Sequence, residues 1–381
     1  MNTYTTDVLI VGAGPVGLTA AIVLTQKGHD VTVVDRLAEG ANTSRAAVVH
    51  PRTLELLEPY GPVQQLVDRG VRTPTFTLRD RDALLISVPF DALPTTYPYT
   101  LMISQADTEA ILVERLKTLG AKVIRPATVI DIVADASGVL ATFEDGQQIR
   151  ARYLIGADGM HSTVRDTAGI PFRGDTYEES FVLADVRMSG GVPENEVILY
   201  FSPAGLAVVA PLPDGYYRIV ATVDEAPPVP DRAFVQQLVS ERGPRAHPIV
   251  IDEVLWGSRF RVHHRIADSF RAGRILLAGD AAHVHSPAGG QGMNLGIDDG
   301  VTLAEALARV LDGESDVLLD DYAATHREAA GRVIALAGRL TEAATLRAGL
   351  RPFRNAAMRL AGRIPAVRRT LAWRLSGLDR R

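Results

Sequence analysis

The sequence predicts an α/β fold in which a parallel-sheet domain is interrupted by a second, mainly antiparallel β-sheet domain and is followed by C-terminal helices. Three observations support this fold class. Apolar runs and a helical pattern alternate in the first 35 residues, strand patterns dominate residues 174–262, and an apolar strand with long helical patterns returns after residue 273. A chain of 381 residues is also too long for one simple core, which favours two domains.

Composition excludes several classes of protein. The net charge of −5 gives no general case for nucleic-acid binding. The chain has no cysteine, so disulfides, thiolate catalysis and cysteine-held metals are excluded. The polar N-terminus is unlike a signal peptide, and no stretch approaches the ~18 apolar residues of a membrane span. We therefore expect a soluble, cytoplasmic protein without a transmembrane segment.

The first stretch that carries chemistry lies near the N-terminus. Residues 7–11 are an apolar run typical of a buried parallel strand, and a G-x-G-x-x-G turn follows at Gly12, Gly14 and Gly17. A helical pattern and a second apolar strand then lead to Asp35. Such glycines allow a tight turn beside a helix N-terminus, where a pyrophosphate binds, and the acid binds a ribose. The pattern favours a Rossmann-like dinucleotide site over a turn that binds nothing, but it does not separate FAD from NAD.

Two more segments bring polar groups to the same predicted sheet. Ser104, with an acid three residues later, is typical of a helix N-cap and places Gln105 in the first helical turn. The apolar run 152–157 ends at Asp158-Gly159, before a further helix. Because ligands bind at the carboxyl ends of parallel strands, we expect Asp158 beside the first glycine turn.

The middle of the chain has a different residue pattern, which is typical of β-strands. Strand patterns cover most of residues 174–262 and recur in 73–99, and the sequence Pro213-Asp214-Gly215 predicts a hairpin. We predict a separate, mainly antiparallel substrate-binding sheet domain inserted into the nucleotide-binding domain. The inserted domain takes residues 73–99 and 174–267, and the nucleotide-binding domain with the C-terminal helices takes 1–72, 100–173 and 268–381.

The nucleotide-binding pattern returns with an apolar strand that runs into Gly279-Asp280. A carboxylate at a strand end suits a chain of hydroxyls such as the ribityl of a flavin. Glycines 289, 290 and 292 would let the backbone approach a flat ring, and the helix that begins near Gly292 directs its positive end there. A tight turn that only packs is the alternative for this segment alone.

These three motifs, in this order, resemble those of the class A flavoprotein monooxygenases, the para-hydroxybenzoate hydroxylase type of aromatic hydroxylase. The "DG" motif matches at Asp158-Gly159 and the "GD" motif at Gly279-Asp280. Segment 44–57 is most similar to the branch that tailors polyketides and degrades phenols, although typical members have Glu where this chain has Asp35. Many members carry a C-terminal thioredoxin-like domain, and the resemblance implies a short version that lacks it.

The resemblance implies a set of cofactor-binding residues. The first motif would bind the FAD pyrophosphate and adenosine ribose, Asp158 would hold FAD through its loop, Asp280 would bind the ribityl chain, and the second glycine loop would lie along the isoalloxazine. By spacing alone, a solvated loop arginine is the slightly favoured interpretation of Arg45. The full set is Gly12, Gly14, Pro15, Gly17, Asp35, Arg36, Arg45, Gln105, Asp158, Gly279, Asp280, Pro287, Gly292, Met293, Asn294 and Leu295.

The implied reaction uses FAD, O2 and NAD(P)H as a transient electron donor to hydroxylate a phenolic or polyketide-like aromatic substrate through a flavin C4a-hydroperoxide. Water must be excluded from this intermediate, so we expect an apolar cavity, with no catalytic base identified. Baeyer–Villiger oxygenation, epoxidation and a non-oxygenating FAD-binding carrier or partner protein are the alternatives. Candidates for the cavity lining, at least half of which would equally suit an ordinary core, are Phe181, Leu183, Phe201, Val209, Pro211 and Tyr217.

The histidines and the C-terminal arginines fall outside these motifs. His283 and His285, in the GD loop, are best interpreted as structural, and His263-His264 lacks a third ligand, so we predict no metal site. Residues 346–381 hold ten arginines, one acid and an apolar stripe. Such a basic amphipathic helix would touch anionic lipid or an acidic partner, and the alternative is that its stripe packs on the FAD domain. We expect a monomer or homodimer.

Overall fold

The computed structural model describes residues 3–40, 46–223, 225–287 and 289–381. Its strands are β1 Thr3–Val11, β2 Val31–Val34, β3 Val48–Val49, β4 Val71–Thr73, β5 Thr75–Asp80, β6 Ala83–Pro89, β7 Thr100–Met102, β8 Val123–Ile124, β9 Val129–Asp135, β10 Gly138–Phe143, β11 Gln148–Gly156, β12 Phe172–Ser189, β13 Glu196–Ser202, β14 Gly205–Pro211, β15 Tyr217–Val223, β16 Val250–Ala267, β17 Arg271–Ala272, β18 Ile275–Leu277 and β19 His283–Val284. Its helices are α1 Pro15–Gln26, α2 Pro51–Leu57, α3 Val63–Arg69, α4 Gln105–Thr118, α5 Thr163–Thr167, α6 Arg232–Arg242, α7 Gly292–Leu311, α8 Val317–Thr345, α9 Arg351–Ala361 and α10 Pro365–Leu375.

The first sheet has the order β17-β18-β11-β1-β2-β8 in the described residues, and β9 and β10 extend it as an antiparallel meander on β11. Strands β18, β11, β1, β2 and β8 run parallel to one another, and β17 is antiparallel to β18. Val8, Leu9 and Ile10 of β1 are each fully buried, because both faces of this sheet are covered. Burial on both faces explains why the strand is a continuous apolar run rather than an alternating one.

Helices α1, α4 and α7 pack around this sheet. Ser104 caps α4 by accepting a hydrogen bond from the backbone N–H of Asp107, as its sequence predicts. Helix α7 approaches α1 closely, since a Cβ at Gly296 would lie 2.7 Å from Val16 and one at Gly300 2.8 Å from the backbone oxygen of the same residue. Small residues at these two positions therefore bring the start of α7 near the start of α1.

The second sheet has the order β19-β16-β12-β15-β14-β13-β5-β6 within the described residues. Most of its pairs are antiparallel, and β5 pairs in parallel with β13. Alternate side chains give it two distinct faces. One face, which includes Ile198 and Ile219, packs under α6, and the other faces the small three-stranded sheet β3-β7-β4 and the C-terminal helices. A nucleotide-binding parallel sheet with a second, mainly antiparallel sheet confirms the predicted α/β fold class.

The C-terminal region is helical, and its breaks fall where the prolines predict them. Pro352 occupies the first turn of α9, and Pro365 begins α10. Both helices pack against β6 of the second sheet. The described part of the chain contains no helix that is long and apolar enough to cross a membrane.

Candidate active site

The carboxyl ends of β1, β11 and β18 lie side by side in the first sheet. Each strand runs directly into one of the three motifs, namely the glycine turn at Gly12, the loop at Asp158 and the loop at Asp280. Parallel pairing aligns these three strand ends at one edge. The fold therefore brings together residues that are more than 260 positions apart in the sequence.

The first glycine turn is closely packed at two positions and open at the third. Gly12 has a φ of +106°, and a Cβ there would overlap the carbonyl oxygen of Ala157. A Cβ at Gly17 would overlap the carbonyl oxygen of Gly12. Gly14, in contrast, has no atom of the described residues within 4 Å of an added Cβ. Gly12 and Gly17 are thus required by the protein itself, whereas the space beside Gly14 is free for a ligand.

This turn opens onto a cavity of about 240 Å³. Asp35 lies half-buried at its edge and accepts hydrogen bonds from the backbone N–H of Ala13 (2.7 Å) and of Leu37 (2.8 Å). Arg125 donates to the carbonyl oxygen of Ala13 (2.9 Å) and so holds the turn from the other side. Predicted site residues that line the cavity are Gly12, Gly14, Asp35, Arg36, Gln105 and Asp158.

Asp158 is bound within its own loop. Its carboxylate accepts hydrogen bonds from the Ser162 hydroxyl (2.5 Å) and the backbone N–H of Val164 (3.1 Å), at the start of α5. Burial raises the pKa of this carboxyl, and the two hydrogen bonds oppose that shift. Arg165, which is buried, donates to the carbonyl oxygens of Met160 (3.0 Å) and Ala281 (3.2 Å). It therefore links the DG loop to the GD loop.

The GD loop rests on a buried carboxylate that the sequence analysis overlooked. Asp299 of α7 accepts hydrogen bonds from the backbone N–H of Gly279 (2.9 Å), from His283 (2.7 Å) and from His326 (2.7 Å). Burial raises the pKa of Asp299, but the two histidines outweigh it and hold the pKa well below its ordinary value. His283 is thus a structural partner of Asp299, and Asp280 itself is exposed beside the loop.

The second glycine loop is held by one amide side chain. Asn294 is fully buried, and its Oδ1 accepts hydrogen bonds from the backbone N–H of His50 (2.8 Å) and the hydroxyl of Thr53 (2.7 Å). Its Nδ2 donates to the carbonyl oxygens of Val48 (2.8 Å) and Gly290 (2.7 Å). With these four bonds, Asn294 fixes the loop to the segment that begins α2.

Gln291 extends the same network to the C-terminal residues. Its side-chain nitrogen donates to the carbonyl oxygen of Leu375 (2.9 Å), and its side-chain oxygen accepts from Arg380 (3.3 Å). Arg380 also pairs with Asp298 (3.4 Å), and both side chains are more than nine-tenths buried. The residues after α10 therefore brace the back of the glycine loop.

His50 lies between this loop and the second sheet. Its Nε2 is 2.9 Å from the carbonyl oxygen of Gly289, so Nε2 carries the proton and donates, and the ring lies near Phe76. Burial lowers the pKa of His50 to about 4, and Arg380 adds to the effect. Burial likewise lowers the pKa of His285 to about 4. Both histidines are neutral near pH 7.

The remaining predicted residues have varied surroundings. Pro287 is exposed, Met293 is half-buried, and Leu295 is fully buried, with its backbone N–H bound to the carbonyl oxygen of Gln291 (2.8 Å). Pro15 is buried at the start of α1. Arg45 lies outside the described residues.

The face of the second sheet that meets the first domain contains a buried ion pair. Arg218 of β15 binds Asp185 of β12 through two nitrogens (both 2.7 Å) and donates a third hydrogen bond to the carbonyl oxygen of Ala46 (3.0 Å). Phe181 and Leu183, two and four residues before Asp185, share its face of β12. This face is therefore tied to the segment that leads into His50.

Three of the six predicted lining residues lie on the face of the second sheet that points away from the first domain, and the list is corrected. Val209 and Tyr217 pack into the apolar cluster under α6, on the opposite face of the sheet, and Pro211 is two residues on from Val209 and pairs with Tyr217. Phe201 lies in the cluster beneath α9. The physical reason is alternation, because odd-numbered residues of β14 and β15 point away from the first domain.

The site fits a dinucleotide on the evidence of its own geometry. Helix α1 begins at Gly14 with no side chain capping its first turn in the described residues, so its N–H groups are free to receive a pyrophosphate. Gly14 leaves free space beside this helix start, and the cavity continues to the Asp35 carboxylate. Helix α7 also begins without a side-chain cap, beside the second glycine loop.

Comparison with known proteins identifies the family. A model described as the FAD binding domain matches residues 5–337, most of the chain. The chain belongs to this FAD-binding family. Membership supports the resemblance to flavoprotein monooxygenases and identifies FAD, rather than NAD, as the bound cofactor.

Two relatives and two solved structures define what this FAD-binding chain is similar to. It is 39% identical to 6-methylpretetramide 4-monooxygenase of Streptomyces rimosus over 91% of this chain, but spans only 63% of that protein. It is 35% identical to pentachlorophenol 4-monooxygenase of Sphingobium chlorophenolicum over 83% of this chain and 60% of that protein. Among structures, p-nitrophenol 4-monooxygenase from Pseudomonas putida superposes with a TM-score of 0.87 at 28% identity over 99% of both chains. The anhydrotetracycline hydroxylase from Streptomyces rimosus gives 0.82 at 32% identity, over 98% of this chain and 76% of that one.

Five residues that build this site lie outside the three sequence motifs. Arg125, Arg165 and Arg218 donate to loop carbonyls, but an arginine outside a motif gives no signal of that role. Asp299 does have a usable signal in the sequence. A carboxylate inside the mainly apolar helical stretch 295–311 needs buried partners. Arg380 was noted only as part of the basic tail.

Proposed function

We propose that this chain is an FAD- and NAD(P)H-dependent monooxygenase that hydroxylates a phenolic or polyketide-like aromatic substrate. The observation that carries the proposal is the convergence of the three motif loops at one edge of the first sheet. The second sheet is joined to the segment before His50, beside the second glycine loop, by the hydrogen bond from Arg218 to Ala46. The relatives named above act on chlorophenol, nitrophenol and tetracycline-type compounds, which supports this substrate class. We also propose that the protein is cytoplasmic and is a monomer or a homodimer.

The roles of the loops follow from their positions. Gly14 and the start of α1 would receive the FAD pyrophosphate, Asp35 the adenosine ribose, and Asp280 the ribityl hydroxyls, with Gln105 and Arg36 along the cavity wall. The backbone of residues 287–295 would lie along the isoalloxazine, held by Asn294 from behind. When bound, FAD supplies the activation of dioxygen, and NAD(P)H supplies the electrons.

The protein would contribute a dry and shaped space. Phe181 and Leu183, on the face beside the Asp185–Arg218 pair, would exclude water from the reacting ring of the substrate. The pair itself fixes the backbone at Ala46 and so sets the distance between this face and the second glycine loop. Loss of apolar surface on this face would therefore divert electrons to hydrogen peroxide rather than abolish cofactor binding.

The first test is turnover by the purified chain loaded with FAD. NADH or NADPH oxidation would be followed with a panel of phenols and polycyclic aromatic compounds, together with peroxide and with product mass under isotopically labelled dioxygen. We expect a compound that accelerates oxidation and gains one labelled oxygen on its ring. A lactone or ester product would instead identify a Baeyer–Villiger oxygenase, an epoxide an epoxidase, and tight FAD binding without NAD(P)H consumption a carrier.

A matched pair of variants separates the two faces of the second sheet. Leu183→Ala and Val209→Ala each remove buried apolar atoms from the same sheet, and both side chains are almost fully buried. We expect Leu183→Ala to raise the peroxide fraction several-fold at saturating substrate, whereas Val209→Ala lowers stability by about 1–3 kcal/mol and leaves coupling unchanged. Equal peroxide fractions in the two variants would contradict the placement of the cavity.

A further inference from the structure

Helix α9 is inverted relative to an ordinary surface helix, because its apolar side chains face solvent. Phe353 is 74% exposed and Leu360 65%, and Leu350 and Ile364 at the two ends are 50% and 48% exposed. These residues, which we call the α9 stripe, follow the spacing of one helical face. The packing of this stripe on the FAD domain, one of the two readings from the sequence, is therefore wrong.

The opposite face of α9 is polar and buried, and it fixes the helix in this orientation. Arg354 donates to the carbonyl oxygens of Ala343 (2.8 Å) and Phe201 (2.9 Å). Asn355 donates to the Asp80 carboxylate (2.8 Å) and to Phe201 (3.1 Å). Rotation of the helix to bury its stripe would leave these buried groups without partners, at a cost of about 1–3 kcal/mol for each group. The stripe is thus held outward by the fold.

Unpaired positive charge surrounds the stripe. Residues 343–378 contain no acid. Several arginines of this segment are used internally, as Arg354 is, but five are exposed and have no hydrogen bond or ion pair to any described residue. These five are Arg347, Arg359, Arg363, Arg369 and Arg374. Arg359 and Arg363, four residues apart, follow one edge of the stripe.

We propose that the α9 stripe docks this protein on an anionic lipid surface. Apolar side chains that project from a helix, edged by arginines, suit the boundary between acyl chains and phosphate headgroups. A stripe-to-stripe contact with a second copy would bring the two sets of arginines together, which opposes that occupant. A lipid surface needs no groove shaped to receive Phe353. Its anionic headgroups would supply the negatively charged partners for the exposed arginines.

Vesicle flotation of the full chain tests this proposal without reference to its enzymatic activity. The probes are vesicles of phosphatidylcholine alone and of phosphatidylcholine mixed in equal parts with phosphatidylglycerol. We expect binding to the anionic vesicles to be at least about tenfold tighter than to the neutral ones and to weaken with added salt. Absence of binding to the anionic vesicles at low salt would overturn the proposal.

Three variants assign the binding to the stripe. Phe353→Ser with Leu360→Ser should abolish binding to anionic vesicles, and Arg359→Gln with Arg363→Gln should remove most of the preference for anionic lipid. Val229→Ser is the control, because Val229 is 72% exposed in a loop before α6, away from this segment. All substituted side chains are exposed, so thermal unfolding midpoints should not change.

Two other results would also overturn the proposal. Unchanged vesicle binding by the Phe353→Ser/Leu360→Ser variant would place the lipid contact elsewhere. A concentration-dependent dimer that forms without lipid and is lost in that variant, with no vesicle binding by the unmodified chain, would make a second copy the occupant of the stripe. Sedimentation velocity of both proteins distinguishes this case.

Discussion

The two glycine loops of the site are built in different ways. The first, at Gly12–Gly17, is held mainly by backbone packing within its own strand-turn-helix unit and against Ala157. The second, at residues 289–292, is held by the side chains of Gln291 and Asn294, which bind distant segments at Val48, Leu375 and Arg380. The first loop is thus set by local geometry, and the second by tertiary contacts.

This difference bears on function as well as on folding. A pyrophosphate is the same in every dinucleotide, so a rigid backbone cradle serves any member of the family. In the proposed function, the second loop would have to fit both a flat ring and the substrate beside it. Its position depends on side chains such as His50 and Gln291, so substitutions at this end of the site would adjust the chemistry.

The largest expected effect tests the first glycine loop, which is held by backbone packing. Gly12→Ala places a Cβ on the carbonyl oxygen of Ala157 at a φ of +106°. We expect a loss of roughly 3 kcal/mol or more of unfolding free energy from overpacking and backbone strain. Gly14→Ala is the matched control, since its Cβ meets nothing within 4 Å among the described residues. Urea unfolding and FAD titration of both variants measure the contrast.

The control should keep near-normal stability but lose FAD affinity by at least about tenfold, because the added methyl occupies the path of the phosphates. The comparison would fail if Gly14→Ala were as unstable as Gly12→Ala in the absence of FAD. It would fail equally if Gly14→Ala bound FAD as well as the unmodified chain.

The next largest effect tests the second glycine loop, which is held by tertiary contacts. Asn294→Ala removes four buried hydrogen bonds and leaves their partners in the second loop and in α2 unsatisfied. We expect a loss of about 2–3 kcal/mol of unfolding free energy and faster hydrogen exchange at Gly290. Thr53→Val removes only one of these bonds and should cost about 1 kcal/mol. Equal effects of the two substitutions would mean that Asn294 is not the organising residue of the loop.

The same contrast explains what the sequence could predict. The first loop, the cap at Ser104 and the three strand ends were predictable because each depends on neighbours in the chain. The need of Asp299 for buried partners was also predictable, but which groups those partners are was not, and neither was the Arg218 bond to Ala46, because the partners come from other segments. Sequence alone gave no way to know which face of β14 and β15 meets the first domain, and a shift of one residue moved Val209 and Tyr217 to the wrong side.

The smallest expected effect is a pH dependence of the unfolding free energy that comes from His50, beside the second glycine loop. The pKa of His50 is about 4 in the folded protein against an ordinary value of 6.5, mainly because the ring is buried. The unfolded chain therefore binds more protons between these values, so stability increases with pH from about 4 to 6.5 and is lost as the pH falls through this window. Between about pH 7 and pH 5, His50 should account for about 2 kcal/mol of lost unfolding free energy.

His50→Gln isolates this contribution, because glutamine can still donate to the carbonyl oxygen of Gly289 but does not titrate in this range. Urea unfolding of both proteins at the two pH values gives the difference in slope, and His285 contributes equally to each because it is retained. The variant should be less sensitive to acid by about 2 kcal/mol. Identical pH dependence in the two proteins would mean that the imidazole is not sealed from water, and the second loop would then be more open than the first rather than merely held by different contacts.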